Sequence, residues 1–142
     1  MQIFKPQVVI AVMTLGLCLA DHSLAGEKQE NMAIVAAHAW LALIDEGKYS
    51  ESWESAATYF KNAVPKAKWD QMLNAARTPL GGLVTRELKS AKFTESMPGA
   101  PDGEYVVIRF STSFEKKQSA IETITPMLDS DGVWRVSGYF FK

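Results

Sequence analysis

Apolar and polar positions alternate along the last third of the chain and recur at helical spacing before it. From Glu104 to Glu115, Val106, Ile108, Phe110 and Phe114 fall on one side; Tyr105, Val107, Arg109, Ser111 and Ser113 fall on the other. This period of two marks a strand with one buried face. Two more strands are predicted over Ser119–Leu128 and Val133–Phe141. The connections are Lys116-Lys117-Gln118 and Asp129-Ser130-Asp131-Gly132, with glycine where a turn favours positive φ. Alternation places Trp134 and Val136 inward and Arg135 and Ser137 outward. Tyr139 and Phe141 continue the outward side unless a bulge at Gly138 reverses the phase. A preceding strand, Leu83 to Glu95, is followed by a loop from Ser96 to Gly103 that holds Pro98, Gly99, Pro101 and Asp102.

Upstream the period changes. Val35, Ala39, Ala42 and Leu43 recur at helical spacing, widened by Met32, Trp40, Leu41 and Ile44, which predicts a helix from Asn31 to Glu46 stopped by Gly47. The polar stretch Gly26–Asn31 before it is expected to fray. Ser50 can cap a second helix, Glu51–Phe60, and Pro65 suits the first turn of a third, Pro65–Arg77, which Thr78-Pro79-Leu80-Gly81-Gly82 ends. Helices followed by consecutive strands read as α+β: three N-terminal helices on one face of a bent antiparallel sheet of about four strands. A sheet wrapped round helices in this way is a roll.

The N-terminus adds an address. Lys5 precedes an apolar run from Val8 to Ala20, and Ser23-Leu24-Ala25 is a small-x-small cleavage site. Residues 1–25 are therefore expected to be a signal peptide and 26–142 a single exported domain, periplasmic or secreted. The apolar run is short for a membrane span, so no stable membrane insertion is expected after cleavage. Cys18 raises lipidation as an alternative, but the residue before it is Leu17, not a small one. Cleavage would leave no cysteine, hence no disulfide, thiolate metal site or thiol nucleophile. Hydrophobic residues make up 47% of the chain, enough for an ordinary core. Residues 26–82 carry six basic and seven acidic side chains and residues 83–142 eight of each, so no charged tract points to nucleic acid.

Several stretches together carry a resemblance: Trp40-Leu41-Ala42-Leu43-Ile44-Asp45-Glu46-Gly47-Lys48-Tyr49, Ser52-Trp53-Glu54, Pro79-Leu80-Gly81, Arg86-Glu87-Leu88, Asp102-Gly103-Glu104-Tyr105-Val106-Val107-Ile108 and Gly132-Val133-Trp134-Arg135-Val136-Ser137-Gly138-Tyr139. From about Ala36 onward the chain resembles an exported bacterial family catalogued as domain of unknown function 4019, itself similar to the NTF2-like (cystatin-like) roll. The resemblance implies export and the roll. It implies no activity and no catalytic residues.

Candidate chemistry is sparse. After cleavage one histidine remains, His38, without an evident partner. Asp45 and Glu46 diverge by about 100° around a helix, and Asp129/Asp131 lack the later ligands of a calcium loop, so neither pair predicts a metal site. No Gly-x-Ser-x-Gly elbow exists. Catalytic residues, metals and cofactors are accordingly expected to be absent. Trp53, Glu87, Glu122 and Trp134 are the candidate lining of a pocket, should the roll enclose one; Trp40, Trp53, Trp69 and Trp134 otherwise read as core. Tyr105, Arg109, Arg135 and Tyr139 are the candidate interface, because tyrosine and arginine are enriched at binding hot spots. The leading expectation is a non-enzymatic binding or self-association module, forming a homodimer through the outer sheet face or holding a protein or small molecule. The alternative is a pocket enzyme of hydrolase, isomerase or dehydratase type. Mass spectrometry of the exported protein should find Gly26 as the first residue; an acylated Cys18 at the N-terminus would make it a lipoprotein instead.

Overall fold

A computed structural model describes residues 20–142; Cys18 and the apolar run up to Leu19 lie outside the described residues. Four α-helices precede four strands: α1 (Ala20–Asp45), α2 (Tyr49–Glu54), α3 (Thr58–Ala63), α4 (Lys66–Ala76), then β1 (Leu83–Thr94), β2 (Tyr105–Phe114), β3 (Lys117–Leu128) and β4 (Trp134–Phe141). The strands form one open antiparallel sheet in sequence order, β1-β2-β3-β4. The class is α+β.

The helices depart from the sequence reading in three places. First, α1 begins well before Asn31, so the stretch expected to fray is helical. Glu27, Lys28, Gln29 and Glu30 are good helix formers. Two of them are also anchored: Gln29 Nε2 donates to Glu104 Oε1 at 3.2 Å, and the Phe93 N–H of edge strand β1 donates to Glu30 Oε1 at 3.1 Å. The end is as predicted. Gly47 has φ +74°, its N–H reaches the Ile44 carbonyl at 3.0 Å, and the Lys48 N–H reaches Leu43 at 2.8 Å, which is a Schellman closure.

Second, the single helix predicted over Glu51–Phe60 is two. Ala57 is extended (φ −61°, ψ 150°) and its N–H donates to the Val136 carbonyl of β4 at 2.8 Å. That bond to the sheet takes a donor that a continuous helix would have used. Third, Ser50 is not a cap. Its Oγ donates to Asp70 Oδ2 at 2.6 Å and ties α2 to α4.

The alternation on β2 holds. Val106, Ile108, Phe110 and Phe114 are buried and face the helices, and Trp134 and Val136 join them from β4. The partners across the interface are Trp40, Leu41, Ile44, Phe60, Trp69 and Leu73. Their rings pack edge to face: Phe60–Trp69 at 5.0 Å, and Trp40–Tyr139 at 5.4 Å. Trp40 Nε1 donates to the Ser52 carbonyl and Trp69 Nε1 to the Ser52 hydroxyl, so a fully buried serine satisfies two indoles.

On β4 the phase reverses. Thr125 pairs with Gly138 but Pro126 pairs with Val136, which leaves Ser137 as an extra residue. After this bulge Tyr139 turns inward and Phe140 outward. The phase reading that carried Tyr139 and Phe141 to the outer side is thereby corrected.

Trp134 is 8% exposed and sits in the core cluster. Trp134→Ala should cost about 3–5 kcal/mol, read as a loss of unfolding free energy in urea; near-unchanged stability would show that the helices do not seal this end of the sheet.

Candidate functional site

Two places draw polar side chains together: one between the sheet and the helices, one on the outer face of the sheet.

The inner one is built on Glu122. Alternation along β3 places it between Ala120 and Ile124, on the buried face, and it is 0% exposed. A carboxylate there must be neutralised and hydrogen-bonded, since an unpaired buried charge costs several kcal/mol. Each neighbouring strand contributes. Arg86 on β1 donates through Nε to Oε1 at 2.7 Å and through Nη2 to Oε2 at 3.2 Å. Thr112 on β2 donates through Oγ1 to Oε1 at 2.6 Å, and the Tyr139 hydroxyl on β4 donates to Oε2 in a short bond. Both carboxylate oxygens are thus doubly engaged.

Arg86 has a second partner. Its Nη1 and Nη2 hold Asp45, at the end of α1, at 2.7 and 2.9 Å. Asp45 also receives Arg77 Nη2 at 3.3 Å. Arg77, at the end of α4, donates Nη1 to the Gly81 carbonyl at 2.6 Å and lays its guanidinium over Phe114, 4.3 Å from the ring centre. Two carboxylates face two guanidiniums, so the cluster is neutral as a whole. Burial alone would push the Arg86 pKa down, but the Asp45 and Glu122 carboxylates outweigh it and the net shift is upward. Burial, reinforced by the Glu122 charge, pushes the Tyr139 phenol up, so it stays protonated as a donor. The arrangement holds charges still. Glu122 has no free oxygen with which to take a proton, and it lines none of the three surface hollows described here.

The outer face differs in kind. Register stacks its residues in rows: Glu87–Ser111–Ile121–Lys142, Ser90–Arg109–Thr123–Phe140, and Lys92–Val107–Thr125–Gly138. A hollow of about 330 Å³ is lined by Lys89, Arg109, Ile121, Thr123, Phe140 and Lys142. A second, about 250 Å³, adjoins it across Phe140 and runs under the Met97–Ala100 loop to Tyr59, Tyr105 and Gly138. Phe140 is 58% exposed. A third hollow, about 240 Å³, is polar and lined by Lys48, Ser50, Glu51 and Asp70.

The sequence-predicted residues separate. Of the interface set, Arg109 is exposed on the outer face. Tyr105 points the same way but is buried, with its hydroxyl donated to the Pro101 carbonyl at 2.6 Å, because the Ser96–Gly103 loop folds over it. Arg135 is spent in the β3–β4 turn, bidentate to Asp131 at 2.8 Å; that pairing holds Asp131 down to about 2. Tyr139 is inside. Of the pocket set, Trp53 bonds the Val64 carbonyl at 2.7 Å, Trp134 is core, Glu122 is in the cluster, and Glu87 projects into solvent beside Lys89. They line no common cavity. His38 is exposed, its ring edge-on to Phe110 at 5.1 Å. Among the described residues no group of three His, Cys, Asp or Glu could hold a metal ion, and no helix is long and apolar enough to cross a membrane.

Sequence reasoning missed Arg86, Asp45 and Arg77 as members of the cluster. The signal was present in Glu122 itself: an acid at an inward position of a central strand requires a cation nearby. It also missed Phe140, because the bulge hides its phase.

A family model described as "Protein of unknown function (DUF4019)" matches residues 36–139. No curated protein matches the chain.

Glu122→Ala should destabilise the fold by about 3–5 kcal/mol, since it strands Arg86 with one carboxylate fewer. Glu87→Ala should stay within about 0.5 kcal/mol. Urea denaturation of the two variants checks the contrast, and equal effects would sink the account of the cluster.

Proposed function

The chain belongs to the DUF4019 family, whose description assigns no activity, and from the geometry above we propose that it is an exported, non-enzymatic binding module working through its outer sheet face. One observation carries the reading: the carboxylate buried under the helices, Glu122, has both oxygens fully engaged by Arg86, Thr112 and Tyr139, whereas the outer face leaves an aromatic ring and three cationic side chains, Lys92, Arg109 and Lys142, without acidic partners among the described residues. A pocket enzyme of hydrolase, isomerase or dehydratase type would need a titratable group that meets both substrate and solvent. Glu122 meets neither, and Glu87 faces solvent on an edge strand, paired with Lys89 and in the wall of none of the three hollows. The export part of the proposal rests on the N-terminal pattern. The roll part, a relation to NTF2-like folds, is supported by helices that precede and cover a bulged four-stranded meander.

Self-association is the second reading. Exposed Phe140 and Ile121 on one face would suit an isologous sheet-to-sheet dimer. Native mass spectrometry of the protein recovered after export tests both. The wild type should carry either a second copy or a small-molecule adduct, and Phe140→Glu with Arg109→Glu should remove it while the circular dichroism spectrum is kept. A bare monomer in the wild type, or an adduct indifferent to the double substitution, overturns the outer face as the working surface.

A further inference from the structure

The outer face has a polarity that narrows its occupant. Its cross-strand rows hold Lys92, Arg109 and Lys142, and Lys89, at the β1 irregularity between Leu88 and Ser90, lines the same hollow; the single carboxylate in these rows is Glu87, which Lys89 already meets at 3.2 Å. The whole chain has a net charge of −1, so the positive charge is concentrated here and not a general property of the surface. Two copies set face to face would bring these cations together, which opposes self-association and favours an anionic occupant.

The apolar part is equally placed. Arg109, Thr123 and Phe140 lie in one row on successive strands, which at sheet spacing puts Arg109 and Phe140 about 10 Å apart. Beyond Phe140 the next row ends in Gly138. A Cβ there would meet nothing within 4 Å, so the missing side chain leaves open space. That space is the second hollow, roofed by Pro98 and Gly99 and walled by Tyr59 and Tyr105. The loop is held in place by the Tyr59 hydroxyl, which donates to the Gly99 carbonyl at 2.9 Å. The two hollows, about 330 and 250 Å³, together reach the size of sites that take small molecules.

We propose that this surface binds a small amphipathic anion, with its carboxylate or phosphate at Arg109, Lys89 and Lys142 and its apolar body across Phe140 into the space beside Gly138. The proposal rests on the outer face being the working surface and names the chemistry of its occupant. It follows that the cationic end sets orientation and the Gly138 end sets the length and girth accepted. A like-sized amphiphile of opposite charge meets the same apolar floor but the wrong field.

The test uses the protein recovered after export and dodecanoate below its micelle concentration, followed by amide chemical shifts. Shifts should concentrate around Arg109, Thr123 and Gly138. Dodecyl phosphate in a parallel titration separates the two headgroups, and dodecyltrimethylammonium should not bind. Gly138→Leu fills the hollow from a position with room for the side chain and no positive φ, so it should keep the wild-type melting temperature and lose binding. Arg109→Gln should weaken binding about tenfold, the size of one lost hydrogen bond to a charged group. Equal binding of the cationic amphiphile, shifts confined to another surface, or indifference to both variants overturns the proposal. So does binding of a polyglutamate peptide without dodecanoate, which would give the face to an acidic protein. An adduct or dimer that the Phe140→Glu, Arg109→Glu protein loses, found together with no response to dodecanoate or dodecyl phosphate, sinks the ligand class and leaves the working surface standing.

Discussion

Arg86 is the hinge of the architecture in the energetic sense. A carboxylate at the centre of the buried sheet face is tolerable only beside a cation, and Arg86 is the cation in reach. Its planar fork serves Glu122 through one edge and Asp45 through the other. Because Asp45 ends α1, the same side chain fixes where the long helix stops against the sheet. The Schellman closure at Gly47 and the lodging of Arg77 over Phe114 then complete a junction at which α1, α4 and all four strands meet. Lysine could not replace Arg86: one ammonium cannot present two parallel pairs of donors.

This junction separates the inside of the molecule from its outside in chemical terms. Inside, every charge is answered. Outside, Arg109 and Lys142 are not. The β4 bulge connects the two sides. By inserting Ser137 it turns Tyr139 in, to donate to Glu122 and to pack on Trp40, and turns Phe140 out. Gly138, at the same irregularity, leaves the outer face a space where a side chain would have stood.

What the sequence made legible follows from how local each signal is. The strands were readable because Val106, Ile108 and Phe110 declare their face every second residue, and Gly47 and Gly132 declare their turns; both glycines have positive φ. The α2–α3 break was not, since the bond responsible joins Ala57 to Val136 across most of the domain. The same holds for the cluster: Asp45 and Arg86 are 41 residues apart and Arg86 and Glu122 are 36, and no local pattern announces such pairs. Glu87 and Glu122 looked alike as mid-strand acids. Only their phase on the sheet separates a solvated glutamate from a buried one, and phase on β1 is blurred by irregularities near Val84 and Lys89.

The bulge at Ser137 also bears on how this protein can vary by descent. Substitutions along β4 act one side chain at a time, and most surface ones there would be mild. Loss of a single codon at Ser137 would act differently. It would remove the extra residue and let Val136, Gly138 and Tyr139 oppose Pro126, Thr125 and Ile124 in simple alternation, so the phenol would still face Glu122. A codon lost at Arg135 would instead turn Trp134 and Val136 to opposite faces. The bulge is therefore the place where this strand can change length without turning its side chains over, and lineages that gain or lose a residue in β4 should do so there.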